Sequence, residues 1–162
     1  MNPVTRVKTS TVLELVGKDE EVNTSDWGEE ISFTLRPEDV SGEILGINLI
    51  GRLDDATGGT GTIPVPAGKL FFFDADPGLA AGDTELASGI HDSMIGEVVV
   101  AASDWYSDAK AAMAFFDNPI AFYTLKTLYM AWFHTDATDI NDATGDNEIL
   151  EMAFRYRAED KD

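Results

Sequence analysis

The sequence predicts an all-β protein: an antiparallel β-sandwich, jelly-roll-like, with long loops and at most one or two short helices. Three observations carry that expectation. Several short segments alternate apolar and polar residues with the two-residue period of a half-buried strand. The 14 glycines and 6 prolines cluster with Asp between those segments, where turns need them. Little of the chain has helical spacing, and six or more short strands with such turns suit a sandwich. A chain of 162 residues is one domain's worth. We divide it into an N-terminal arm, 1–10, and a single sandwich domain, 11–162.

Taken in order, "TVLELV" (11–16) is the first expected strand. "ISFTLR" follows, with Ile31, Phe33 and Leu35 on one face and Ser32, Thr34 and Arg36 on the other. "GEILGINLIGRL" (42–53) puts Leu45, Ile47, Leu49 and Leu53 on one side and Ile44, Asn48, Ile50 and Arg52 on the other. "KLFFFDA" (69–75) and "GEVVVAA" (96–102) are apolar runs bounded by the loop-like stretches 54–68 and 74–89. "SDWYSDAKAAMAFF" (103–116) carries Ser or Asp caps and Ala-rich spacing, which admit a short helix. "AFYTLKTLYMAWF" (121–133) fits a helical stripe through Ala121, Leu125, Leu128 and Trp132, but its Thr and aromatic content favours a strand in the second half. Such a strand would be apolar on both faces. "NEILEMAFRYR" (147–157) alternates cleanly, Leu150, Met152, Phe154 and Tyr156 inward, Glu151, Arg155 and Arg157 outward.

Charge excludes more than it specifies. With 11 Lys and Arg against 30 Asp and Glu, the chain carries −19. Such a surface repels phosphate backbones, so nucleic acid is not an expected partner. Adaptation to a salty milieu would leave the same composition. There is no Cys, which excludes disulfides and thiolate zinc sites. No membrane span or signal peptide is read. Residues 1–13 hold Arg6 and Lys8 and no acid, a basic lead on an acidic body.

The sequence holds few residues arranged for chemistry. The two histidines, His91 and His134, lie far apart, and no G-x-S-x-G stretch places a nucleophile. His91 suits an exposed or capping role, and His134 that of a strand-end residue bonded to its neighbours. "TGGTGT" (57–62) fails as a phosphate loop, since Gly68–Lys69 is followed by Leu70 rather than Ser or Thr. The stretch from His134 to Glu151 holds six acids and no Lys or Arg. Read as a calcium loop from Asp139, it breaks the pattern at Ala143, Thr144 and Leu150. An irregular calcium site from Asp136, Asp139, Asp142 or Asp146 competes with a solvated turn whose polar residues bond their own backbone. The turn is the stronger expectation, so no cofactor and no enzyme activity are expected.

Two segments, "EVVVAASDWYSD" (97–108) and "LYMAWFHTDATDINDATGDNEILEMAFRYR" (128–157), resemble small virion proteins of tailed bacteriophages. In particular the texture over about residues 95–158 is similar to capsid cement, or head decoration, proteins. That resemblance implies a β-rich, non-enzymatic protein on the capsid exterior, made in the host cytoplasm and reinforcing the shell in many copies. The implied partners are the major capsid protein and copies of itself, as a homodimer or homotrimer, with neither nucleic acid nor membrane. Val4, Arg6 and Lys8 on the arm would then form a capsid interface. Trp27 and Trp105 are further anchor candidates, although burial inside the domain is the stronger expectation for both. The alternative is a binding module for carbohydrate, or a tail or fibre component, with calcium as a candidate ligand.

Overall fold

A computed structural model of the chain describes residues 5–39, 41–54, 62–108, 111–123, 125–141 and 147–159. It contains eleven strands among these residues: β1 (Thr5–Thr9), β2 (Leu13–Val16), β3 (Ile31–Thr34), β4 (Gly42–Leu53), β5 (Gly68–Phe73), β6 (Met94–Val100), β7 (Tyr106–Ser107), β8 (Ala111–Phe116), β9 (Ile120–Phe122), β10 (Thr127–His134) and β11 (Glu148–Glu159). The first sheet runs β1-β11-β4-β8-β7, with β2 also on β11 and β9 also on β4. The second runs β3-β10-β5-β6.

The pairing is that of a jelly roll. β2 pairs with β11, β3 with β10, β4 with β8 and β5 with β6, all antiparallel. Those four nested pairs are one long hairpin wrapped over itself, and wrapping it splits the eight strands between two sheets. The expected architecture is therefore the observed one. Thr5–Thr9, within the stretch expected as an arm, lies in the first sheet as β1 opposite Arg155–Glu159. Its β-branched Thr5, Val7 and Thr9 suit an extended edge.

Between the sheets, Ile44, Ile47, Leu49, Met152 and Phe154 of the first meet Leu70, Phe72, Leu128, Met130 and Trp132 of the second. The inward set expected for β11 is the one found: Leu150, Met152, Phe154 and Tyr156 are all buried. β4 departs from its expected faces. Opposite β11 the register slips between Arg155, which faces Gly46, and Tyr156, which faces Ile44. Leu45 is the extra residue, so Ile44 turns inward and is fully buried while Leu45 is only half-buried. A bulge of one residue reverses the alternation, which a period-two reading cannot anticipate.

The region 103–133 is strand rather than helix. Among the described residues there, helical geometry is confined to the single 3-10 turn Ala102–Asp104, and the alanines of β8 are there for size. Ala112 and Ala114 point inward and are fully buried, where a larger side chain would crowd the core. β10 has two apolar faces, as its composition suggested. Leu128, Met130 and Trp132 join the main core, while Tyr129, Ala131 and Phe133 face the other way. There a second, smaller core forms: Trp27, Phe71, Phe73 and Leu79 pack on the outer face of the second sheet. Trp27 lies 5.0 Å from the Phe133 ring and 5.1 Å from that of Phe71. Its backbone N–H donates to Asp83 O (2.7 Å) and its carbonyl accepts from Gly82 N–H (2.9 Å), which straps the 74–89 loop over that face. The aromatic part of the outer face of the second sheet is thus covered, while Val99 of β6 stays exposed beyond it.

Candidate interaction surfaces and the acidic loop

Of the expected interface residues, Val4 lies outside the described residues, and Arg6 sits in β1 opposite Ala158. Lys8 is turned inward. Its Nζ donates to both carboxylate oxygens of Asp39, at 2.6 and 2.5 Å, and Asp39 is fully buried. The pair ties β1 to the 3-10 turn Pro37–Asp39. A buried carboxylate needs such a partner, so this charge is engaged within the fold. Trp27 is core, and Trp105 is half-buried with its Nε1–H donating to Pro66 O at 2.9 Å. Neither is an exposed anchor.

In the acidic loop, Asp136 and Asp139 accept hydrogen bonds from backbone. Asp136 Oδ2 accepts from Ala67 N–H and Oδ1 from Thr138 N–H, both at 3.0 Å. Burial would raise the Asp136 pKa. The backbone N–H groups of Ala67, Thr138 and Ala137 outweigh it and hold the carboxyl below its ordinary value. Asp139 Oδ1 accepts from Thr24 N–H (3.3 Å), and Thr24 Oγ1 donates to Asp136 O (2.6 Å). Val22 and Ile140 add an antiparallel bridge. Asp142 and Asp146 lie outside the described residues. Among the described residues no three His, Asp or Glu side chains are arranged to hold a metal ion.

His134 ends β10 fully buried. Trp132 Nε1–H donates to its Nδ1 (3.3 Å), and its Nε2 lies 2.8 Å from Thr138 O. An indole can only donate, so Nδ1 is the acceptor and the proton sits on Nε2, donated to that carbonyl. Both ring nitrogens are therefore committed to structure, the role expected of this residue. His91 is exposed in the 3-10 turn Ile90–Ser93.

Sequence reasoning missed the polar knot that follows. Asn141 is buried with φ at +52°, a left-handed conformation. Its Nδ2 lies 2.7, 3.0 and 2.8 Å from the carbonyls of Gly17, Glu20 and Glu148, and its Oδ1 accepts from Glu148 N–H at 2.8 Å. Its own N–H donates to Glu148 Oε2 (2.8 Å). One amide thus holds the β2–β3 connection against the start of β11.

Beside that knot opens a cleft of about 970 Å³ rimmed by Glu14, Asp19, Glu20, Glu21, Asp26, Glu29 and Asp54, with Lys18 and Arg52. Lys18 pairs with Asp54 at 3.2 Å. Burial, opposed by N–H donors from Glu29 and Gly17 and assisted by the charges of Glu29 and Glu14, raises the Glu20 pKa. The same cause, with Asp76 beside it, raises that of Glu30.

The outer face of the first sheet has a different character. Tyr106 and Phe115 are 71% and 64% exposed there, beside half-buried Met113 and Ile50. At one end Arg52 Nη2 meets Glu151 Oε1 at 2.6 Å, and that bond raises the guanidinium pKa further. At the other, Arg155 Nη2 stands 3.7 Å from Asp117 Oδ1. Gly46 makes the second pair possible, because a Cβ there would come within 2.7 Å of Arg155 Nη2.

No known protein family matches the chain, and no curated protein sequence does. Among solved structures it is similar to a chain of Desmodium yellow mottle tymovirus, at 10% identity and TM-score 0.36, covering 99% of this chain and 89% of that one. It is also similar to a chain of the cyanophage Pam1 capsid asymmetric unit, at 14% identity and TM-score 0.35, covering 97% and 86%. Likenesses this distant carry no argument about activity.

Proposed function

We propose that this protein is a non-enzymatic virion structural protein, a cement or decoration protein on the outside of a phage head. The observation that carries the reading is the jelly-roll strand order, an architecture that recurs in viral capsid domains. Fold alone does not assign a task. The resemblance of residues 95–158 to cement proteins supplies the direction. Two further features support it. His134, Asp136 and Asp139 are engaged in hydrogen bonds that hold loops, and a strongly acidic exterior keeps a high-copy protein soluble before assembly. On this reading it is made in the host cytoplasm, binds the major capsid protein and associates with copies of itself.

Quantitative mass spectrometry of purified virions tests this directly. Near-stoichiometric copy number relative to the major capsid protein, and heat-fragile particles when the protein is absent, are the expected results. A few copies per particle, or presence only in lysate, would sink the proposal. A thermal-shift series with calcium, chelator and glycans addresses the alternative binding module, for which a rise in melting temperature is required.

A further inference from the structure

We propose that the outer face of the first sheet is a two-fold interface between two copies of this chain, centred on Tyr106, Met113, Phe115 and Ile50. This names the surface for the self-association included in the function proposed above, and rests on that part of it. The two sheets differ in what covers them. Trp27, Leu79 and the strapped 74–89 loop cover the aromatic side chains on the outer face of the second sheet, leaving Val99 of β6 exposed beyond them. The first sheet leaves two aromatic rings in solvent on one face. Register places them together: Tyr106 opposes Met113, Met113 opposes Ile50, and Phe115 opposes Asn48, whose other neighbour is Ala153. Contiguous exposed apolar surface of this kind marks an interaction site.

Charge selects the occupant. On a chain of −19, this strip is bracketed by two ion pairs, Arg52–Glu151 at one end and Arg155–Asp117 at the other. Each end offers both signs, so the strip has no net charge to draw a strongly acidic or basic partner. A second copy finds the reverse. A two-fold axis lying in the face and running across the strands sets one copy's Arg155–Asp117 end over the other's Arg52–Glu151 end, guanidinium against carboxylate, with the aromatic strips stacked between. The flat lie of Arg155 across Gly46 keeps that end level with the strip.

The test is sedimentation equilibrium of the full chain from low micromolar to several hundred micromolar. We expect a monomer–dimer equilibrium that Phe115→Asp and Tyr106→Asp each weaken at least tenfold. Val99→Asp, on the exposed side of β6 in the other sheet, should leave it unchanged. Added salt should tighten the dimer by screening the repulsion between two acidic bodies around an apolar contact. Should the two variants fail to fold, hydrogen exchange of the unaltered chain decides: residues 111–116 must gain protection as concentration rises. A monomer at every concentration, a trimer, a dimer indifferent to both variants or dissolved by salt, or exchange independent of concentration overturns the inference. A monomer that still binds particles would overturn this face and leave the cement reading standing; a dimer that ignores particles would do the opposite.

Discussion

Replacing Asn141 by Ala should be among the most damaging single changes outside the apolar core. The substitution deletes the amide that contacts the carbonyls of Gly17, Glu20 and Glu148 and accepts from Glu148 N–H. The two bonds to the Glu148 backbone are buried, and each orphaned buried group costs about 1–3 kcal/mol. The φ of +52° adds about 1–2 kcal/mol once a Cβ lacks the Asn side chain's local bonding. Together they give about 3–8 kcal/mol, a large share of the roughly 5–15 kcal/mol that holds a domain folded. Asn141→Gly keeps the backbone conformation at ease, so it should lose about 1 kcal/mol less than the Ala variant. Urea unfolding followed by tryptophan fluorescence measures both, with an unchanged m value as the check that the unfolded state is the same. A loss below about 1 kcal/mol for Asn141→Ala, or a Gly variant no milder than the Ala one, would refute the reasoning.

Two other outcomes are expected. Lys8→Met strands the fully buried Asp39 carboxylate and should cost about 3 kcal/mol in the same urea assay, while adding Asp39→Asn should recover part of it; equal losses in single and double variants would show that the pair is not the cause. Glu20 and Glu30 both have raised pKa values, so the native state binds their protons more readily than the unfolded chain. Their stabilising contribution is complete below the ordinary carboxylate value and lost as pH rises through the raised one. Melting temperature should therefore climb as pH falls from neutral toward that window, and Glu30→Gln should flatten the climb; an unaltered profile in the variant contradicts the assignment.

How much could be read in advance depended on where each residue's partner lies. β11 was legible because its inward residues keep strict alternation, so periodicity alone identified Leu150, Met152, Phe154 and Tyr156. β4 was legible as a strand and misread as a face, because one bulged residue, Leu45, is invisible to a period count. Ala111–Phe116 looked helical because alanine favours helices, whereas here tertiary packing beside Leu49 and Gly51 demanded small residues. Lys8 advertised a charge, but its partner Asp39 is 31 residues away and no local pattern links them. Asn141 carried only the weak signal of a polar residue in a turn. The exposed strip of Tyr106 and Phe115 required knowing which face of which sheet stays bare.

The position of β11 in the first sheet has a consequence for how the chain is made. It lies between β4 on one side and β1 and β2 on the other, so the strand that leaves the ribosome last among these is the one that joins them. Until it arrives, β2 and β4 hold open edges, and the core between the sheets lacks Met152, Phe154 and Tyr156. Closure is a late, long-range event of the slow kind. A nascent chain waiting with bare strand edges is exposed to mispairing with its neighbours on a polysome. The abundance of carboxylates, whatever it does for the finished protein, keeps those waiting chains apart.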